Sequence, residues 1–153
     1  MRVSEKHIQA ILMRYSMSKG ISHRFVLPNN STILRWEADL ISMTNSKYVH
    51  EYEIKLNIHD YKADFKKFKL HYLNGSIPNY YMPNYFWYAT YDFEIEPPEY
   101  AGWFYINEQG VLRMKKKAPL LHKNKLLDTK INLALKGLSY RISNIYDVLY
   151  KIE

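Results

Sequence analysis

Residues 48–56 read Tyr48-Val49-His50-Glu51-Tyr52-Glu53-Ile54-Lys55-Leu56. Side chains alternate faces along a strand, so Glu51, Glu53 and Lys55 share one face while Tyr52 and Ile54 share the other. Two acids and a lysine on one face of an otherwise apolar strand are out of place in a central sheet. The strand expected before it, over about residues 32–43, repeats the pattern, with Glu37 and Asp39 on one face together with Ile41. Thr44-Asn45-Ser46-Lys47 turns the chain between the two runs. A hairpin there lays the two acidic faces side by side.

Outward from this hairpin, helical and strand-like stretches alternate. Ser4 is placed to cap a helix whose apolar residues Ile8, Ile11, Leu12 and Tyr15 recur at helical spacing, and Gly20 to end that segment. Residues 23–27 read as a short strand and Pro28-Asn29-Asn30 as a turn. Residues 58–73 read as a helix with Ile58, Tyr61, Phe65, Phe68 and Tyr72 on one side, followed by a loop over 74–84. Two aromatic, β-prone runs come next, at 85–91 and 103–107. The second turns at Glu108-Gln109-Gly110 into a strand at about 111–117. A helix over about 124–151 closes the chain, with Ile131, Leu135, Leu138, Ile142, Ile145 and Leu149 spaced alternately by four and three. Helix, strands, helix, strands, helix implies one α/β or α+β domain over residues 1–153, built on a mixed central sheet flanked by helices.

Bulk properties narrow the function classes. With 153 residues, 47% of them hydrophobic, the chain is long enough to bury a core, and no apolar run approaches the ~18 residues that span a membrane. There are no cysteines, which excludes disulfides, thiolate nucleophiles and cysteine-ligated zinc, and fits a cytoplasmic location. The six histidines (His7, His23, His50, His59, His71 and His122) form no paired zinc motif. The net charge of +7 lies entirely in the last 43 residues: residues 1–110 carry 12 basic and 12 acidic side chains, residues 111–153 ten basic and three acidic. A basic end on a neutral body suits a polyanion such as nucleic acid, or simply a lysine-rich solvated surface.

Carboxylates clustered on adjacent strands repel one another unless a cation sits between them, so Asp39 and Glu53 ask for a divalent metal. Hard oxygen ligands with open positions suit Mg²⁺ or Mn²⁺. Such an ion lowers the pKa of a bound water and offsets charge on a phosphate, and Lys55, one pleat beyond Glu53, can assist. A lone Glu-x-Lys triplet arises by chance about once in such a chain, and alternating charges also guard edge strands. Asp39, upstream on its own strand with thirteen residues intervening, is what raises the triplet above that background.

The run Glu37-Ala38-Asp39-Leu40 … Tyr48-Val49-His50-Glu51-Tyr52-Glu53-Ile54-Lys55 resembles the core of the PD-(D/E)XK nuclease superfamily. The continuation Asp60-Tyr61-Lys62-Ala63-Asp64-Phe65-Lys66-Lys67-Phe68-Lys69 is similar to a subgroup of small phage and bacterial nuclease-like proteins, as are Pro98-Glu99-Tyr100-Ala101-Gly102, Lys116-Lys117-Ala118-Pro119 and His122. The likeness covers roughly residues 35–125. It implies a restriction-endonuclease-like fold and a metal-dependent nuclease, in the host cytoplasm if phage-encoded. Asp39 and Glu53 then bind Mg²⁺ or Mn²⁺, and Lys55 assists catalysis. Glu5 is the candidate for a glutamate that many members carry on the first helix. Ala38 replaces the nominal proline, and Glu37 and Glu51 are additional acids whose roles the motif does not define; Glu51 is a candidate further ligand.

Lys62, Lys66, Lys67 and Lys69 on the helix after the motif, and Arg113, Lys115 and Lys117 on one face of a later strand, are the expected phosphate contacts of a DNA partner. Tyr80, Tyr81, Tyr85, Trp87 and Tyr88 offer rings for stacking, or for packing. Two other readings stand beside the nuclease: a catalytically silent nucleic-acid-binding module on the same fold, and assembly, including a homodimer, through the C-terminal helix.

Overall fold

The computed structural model describes residues 3–21, 23–67, 69–75 and 82–150. Its elements in chain order are α1 (Glu5–Ser16), β1 (Phe25–Asn30), β2 (Ala38–Met43), β3 (Val49–Lys55), α2 (Ile58–Asp64), α3 (Lys69–Leu73), β4 (Tyr85–Tyr91), β5 (Ala101–Ile106), β6 (Leu112–Lys116) and α4 (Asp128–Tyr150). The six strands form one mixed sheet in sequential order from β1 to β6. β1, β2 and β3 are antiparallel neighbours, β3, β4 and β5 run parallel, and β6 returns antiparallel to β5. The fold is α+β, with helices on both faces of the sheet and a C-terminal helix. Among the described residues, no helix is long and apolar enough to cross a membrane.

The pleat of β3 sets the layering. Tyr52 and Ile54 join Val26, Leu40, Trp87 and Phe104 in the cluster that α1 covers with Ile8 and Leu12. On the opposite face, Tyr61 of α2 and Leu70 and Leu73 of α3 pack on Phe86, Tyr88 and Ala101. Beside them, Ile131 and Ala134 near the start of α4 pack on Phe25, Leu27, Ile41 and Met43. Each large apolar side chain so buried contributes about 1.5–3 kcal/mol. Trp36 touches both clusters of this second face, and Glu51 and Glu53 lie along the seam between them.

Three elements depart from expectation. β1 runs on through Pro28-Asn29-Asn30, paired with β2, where a turn was expected. β2 begins at Ala38, not near residue 32, because the Asn30 side-chain carbonyl accepts the Thr32 and Ile33 N–H groups, each at 3.1 Å, and bends residues 32–36 away from the ladder. The single helix expected over 58–73 is two short ones. α2 ends at Asp64, the Lys67 N–H reaches back to the Asp64 carbonyl at 2.8 Å, and α3 begins at Lys69. In a continuous helix Lys67 and Lys69 would point about 200° apart. The break lets both ammonium groups reach Glu53. It also leaves Phe65 half exposed instead of on the buried stripe; Phe68 lies outside the described residues.

Candidate active site

Strand alternation brings Glu51, Glu53 and Lys55 beneath α2 and α3, and all three are buried. Asp39 approaches from β2. Leu40 and Tyr52 are the last paired residues at this end of the β2–β3 ladder. Beyond them Asp39 replaces the ladder: its Oδ2 accepts the Ile54 N–H at 2.8 Å. The two strands thus open where Asp39 and Glu53 meet, and a cleft of about 350 Å³ lined by Trp36, Glu37, Asp39, Glu53, Lys67 and Lys69 sits there.

Three lysines neutralise Glu53. Its Oε1 accepts from Lys55 Nζ at 2.9 Å and Lys67 Nζ at 3.2 Å, and its Oε2 from Lys69. Lys69 also reaches Glu51 Oε1 at 3.4 Å, where the Trp36 indole N–H donates at 2.8 Å. Lys55 is shared with Asp64, 2.8 Å away, and Lys67 lies 2.6 Å from the same Asp64 oxygen. Asp64 is fully buried at the end of α2. It is part of the site, yet sequence reasoning quoted it only within the family resemblance. Its sequence signal was an acid on the helical side that also carries Tyr61.

Electrostatics divides the acids. Burial alone would raise Glu53, but Lys69 and Lys55 outweigh it and hold the carboxyl at about 2. Burial and the nearby Glu53 charge push Asp39 up to about 6, with Glu5 adding to the rise. Glu51, fully buried, is raised to about 7 by desolvation despite Lys69. Burial would lower Lys69, but Glu51 and Glu53 raise it, so its charge is locked in place.

The remaining expected residues sort by geometry. Glu5 opens α1 and accepts from Gln9 at 3.1 Å; Gln9, itself buried, also donates to the Asp39 carbonyl at 2.8 Å and so ties α1 to the site. Glu37 is exposed at the rim of the cleft. Lys62 and Lys66 are exposed on and just beyond α2, as a phosphate contact requires, and Lys67 reaches from the surface into the site. Lys69 corrects its expected role as a phosphate contact: it is buried and ion-paired with Glu51 and Glu53. A second correction concerns β6. Phe104 pairs with Met114 and Trp103 with Lys116, so one residue is inserted between them. This bulge breaks the alternation. Arg113 stays opposite Tyr105, and Lys115 Nζ lies 5.6 Å from that ring. Lys117 turns instead to the α1 face, beside Met114 and Ala118. Trp87 and Tyr88 are buried core rings, not stacking platforms, while Tyr80 and Tyr81 lie outside the described residues.

A cavity of about 390 Å³ opens on the α1 face against His23, His50 and Trp87. Burial and the neighbouring His23 hold His50 neutral, down to about 3, and no carboxylate lines this cavity among the described residues. The carboxylates that face an opening, Glu37, Asp39 and Glu53, line the cleft instead.

Among the described residues, no three histidine or carboxylate side chains converge as a ready-made metal cage. A hard cation would find two carboxylates in the cleft and would have to displace ammonium groups from Glu53. Asp39 and Glu53 face one cleft; the two buried carboxylate oxygens without a hydrogen-bond partner, Glu51 Oε2 and Asp64 Oδ2, belong to residues that do not line it. Mg²⁺ is commonly held by one or two carboxylates, with water and substrate phosphate completing its shell.

No protein-family model matches the chain, and no curated protein matches it. Its structure is similar to that of a protein of unknown function from Silicibacter pomeroyi, with 16% identity, a TM-score of 0.53, and coverage of 82% of this chain and 78% of that one. That likeness shows the fold alone.

Proposed function

We propose that this chain is a metal-dependent nuclease of the PD-(D/E)XK type, hydrolysing phosphodiester bonds of DNA in the cytoplasm. The observation that carries the reading is the meeting of Asp39 and Glu53, from adjacent strands, at one open-ended cleft, with Lys55 ion-paired to Glu53. Asp39 and Glu53 would hold Mg²⁺ or Mn²⁺. When bound, such an ion supplies a water of lowered pKa and offsets charge on the phosphate. Lys55, held between Glu53 and Asp64, is rigid and desolvated, the condition under which a fixed positive charge best stabilises a pentavalent phosphorane. Asp64 is a positioning residue for it. Lys67, half exposed and at the cleft wall, is placed to meet a backbone phosphate. Exposed Lys62 and Lys66, with Arg113 and Lys115 on β6, extend that contact as a salt-sensitive, sequence-independent one.

Incubation with duplex and single-stranded DNA in Mg²⁺ or Mn²⁺ tests the reading. Cleavage is expected, with loss in EDTA and in Asp39→Ala. Activity that survives either change refutes this mechanism. A silent nucleic-acid-binding module is the second reading, favoured by one observation: both Glu53 oxygens are already engaged by ammonium groups. Salt-dependent DNA binding without cleavage in any metal would select it.

A further inference from the structure

Only the first part of α4 is docked. Ile131 and Ala134 are buried against the sheet, Leu138 is partly so, and Lys130 Nζ donates to the Thr32 carbonyl at 3.0 Å. Arg141 makes the last anchor among the described residues, donating to the carbonyls of Pro28 and Asn29. From there to Tyr150 every residue is exposed. Yet the stripe that docks the helix does not stop: Ile142, Ile145 and Leu149 continue the alternation of four and three begun at Ile131. They are 45%, 56% and 68% exposed, with Leu135, Tyr146 and Val148 flanking them at 41%, 55% and 77%. Asp147 is the single charge over residues 142–150.

We infer that this half of α4 is the contact surface for a second copy of the same chain, paired helix to helix. The spacing selects the partner: an apolar repeat of 3.5 residues is the seam that one helix presents to another of like period, and a second α4 supplies it. Near-neutral charge removes the self-repulsion that would oppose such a pair. The area agrees. At roughly 100 Å² for each half-exposed large side chain, these six offer about 600 Å² per copy, at the lower end of the size of stable interfaces. An interface of that size suits a dissociating dimer, whose affinity a concentration series reads, and not an obligate one. The pairing is independent of the cleft and of any nuclease activity.

Sedimentation velocity from about 1 to about 500 µM brackets that affinity. The mass is expected to rise from 18.4 kDa to twice that value across the range. Ile145→Asp should remain monomeric at the top of the range with a nearly unchanged melting temperature, since the side chain belongs to none of the hydrophobic clusters of its own fold. A wild-type chain monomeric throughout, or an Ile145→Asp protein that dimerises as well as wild type, overturns the inference. So does a monomer that co-sediments with anionic vesicles, which assigns the face to a lipid surface instead.

Discussion

Lys69→Met isolates the central electrostatic feature of the cleft. Among the described residues, Lys69 is the one cation paired with Glu51 and one of three paired with Glu53. Its removal leaves Glu51 with the Trp36 N–H alone, and Glu51 Oε2 has no hydrogen-bond partner even in the intact site. Breaking one side of a buried ion pair costs about 3–5 kcal/mol, because the stranded charge has lost its compensation. For a domain of this size that lowers the melting temperature by roughly 10 °C. The deficit depends on pH with a definite sign. Glu53 is depressed to about 2 by lysines that include Lys69, so its stabilisation is present above about 4.5 and fades as pH falls toward 2. Glu51, already at about 7, rises further without Lys69 and takes up a proton instead of remaining charged. The difference between wild type and variant should therefore be largest near pH 8 and shrink toward pH 4. If Asp39 and Glu53 hold a cation, saturating Mn²⁺ at about a hundredfold over its Kd restores about 2.7 kcal/mol to the variant. Thermal denaturation at both pH values, with and without Mn²⁺, reads all three effects. A loss below about 1 kcal/mol at pH 8, or a loss of equal size at both pH values, refutes the electrostatic account.

Three further outcomes are expected. Asp39, raised to about 6, must ionise to hold a cation, so Mn²⁺ affinity should fall about tenfold per unit below pH 6, as measured by calorimetry; a pH-independent affinity between 5 and 7 would remove Asp39 from the site. Ionising Asp39 is itself a penalty to the fold, so acidification from pH 7 to 5 relieves this group while Glu53 remains charged. Gly102→Ala should cost about 1–3 kcal/mol or more in urea unfolding, because a Cβ there falls 2.6 Å from the Ala118 nitrogen and against the buried Trp87 ring; a neutral substitution would show that β5 and the 118 segment can separate freely. Asn84→Ala leaves the Val49 N–H and the His122 and Asn124 carbonyls without their side-chain partner, at 2.7, 2.9 and 2.8 Å, and should destabilise by about 3 kcal/mol; a change under about 1 kcal/mol would mean that water replaces the clamp.

Much of this arrangement was legible in the chain. Alternation in residues 49–55 placed Glu51, Glu53 and Lys55 on one face, and the turn at 44–47 brought Asp39 alongside, because both signals are local. The strand at 85–91 was equally plain, since its aromatic run has little else to do. Lys69 and Asp64 were not legible as site residues. Their roles depend on a helix break that lets Lys67 and Lys69 reach a carboxylate on another element. A periodicity argument sees only a continuous amphipathic stripe. The bulge at 114–116 was invisible for the same reason: it is a property of the β5–β6 pair, and alternation within 111–117 alone put Lys117 on the wrong face.

The borders of the sheet carry a consequence for association. Along β1, Pro28 has no N–H to offer, and the Arg141 guanidinium occupies the carbonyls of Pro28 and Asn29. Along β6, the bulge and the run of basic side chains from Arg113 to Lys117 interrupt the opposite margin. Neither margin is a template onto which a foreign strand can zip. Backbone-driven growth of the sheet is thereby disfavoured at both margins, which leaves side-chain surfaces as the better ground for association.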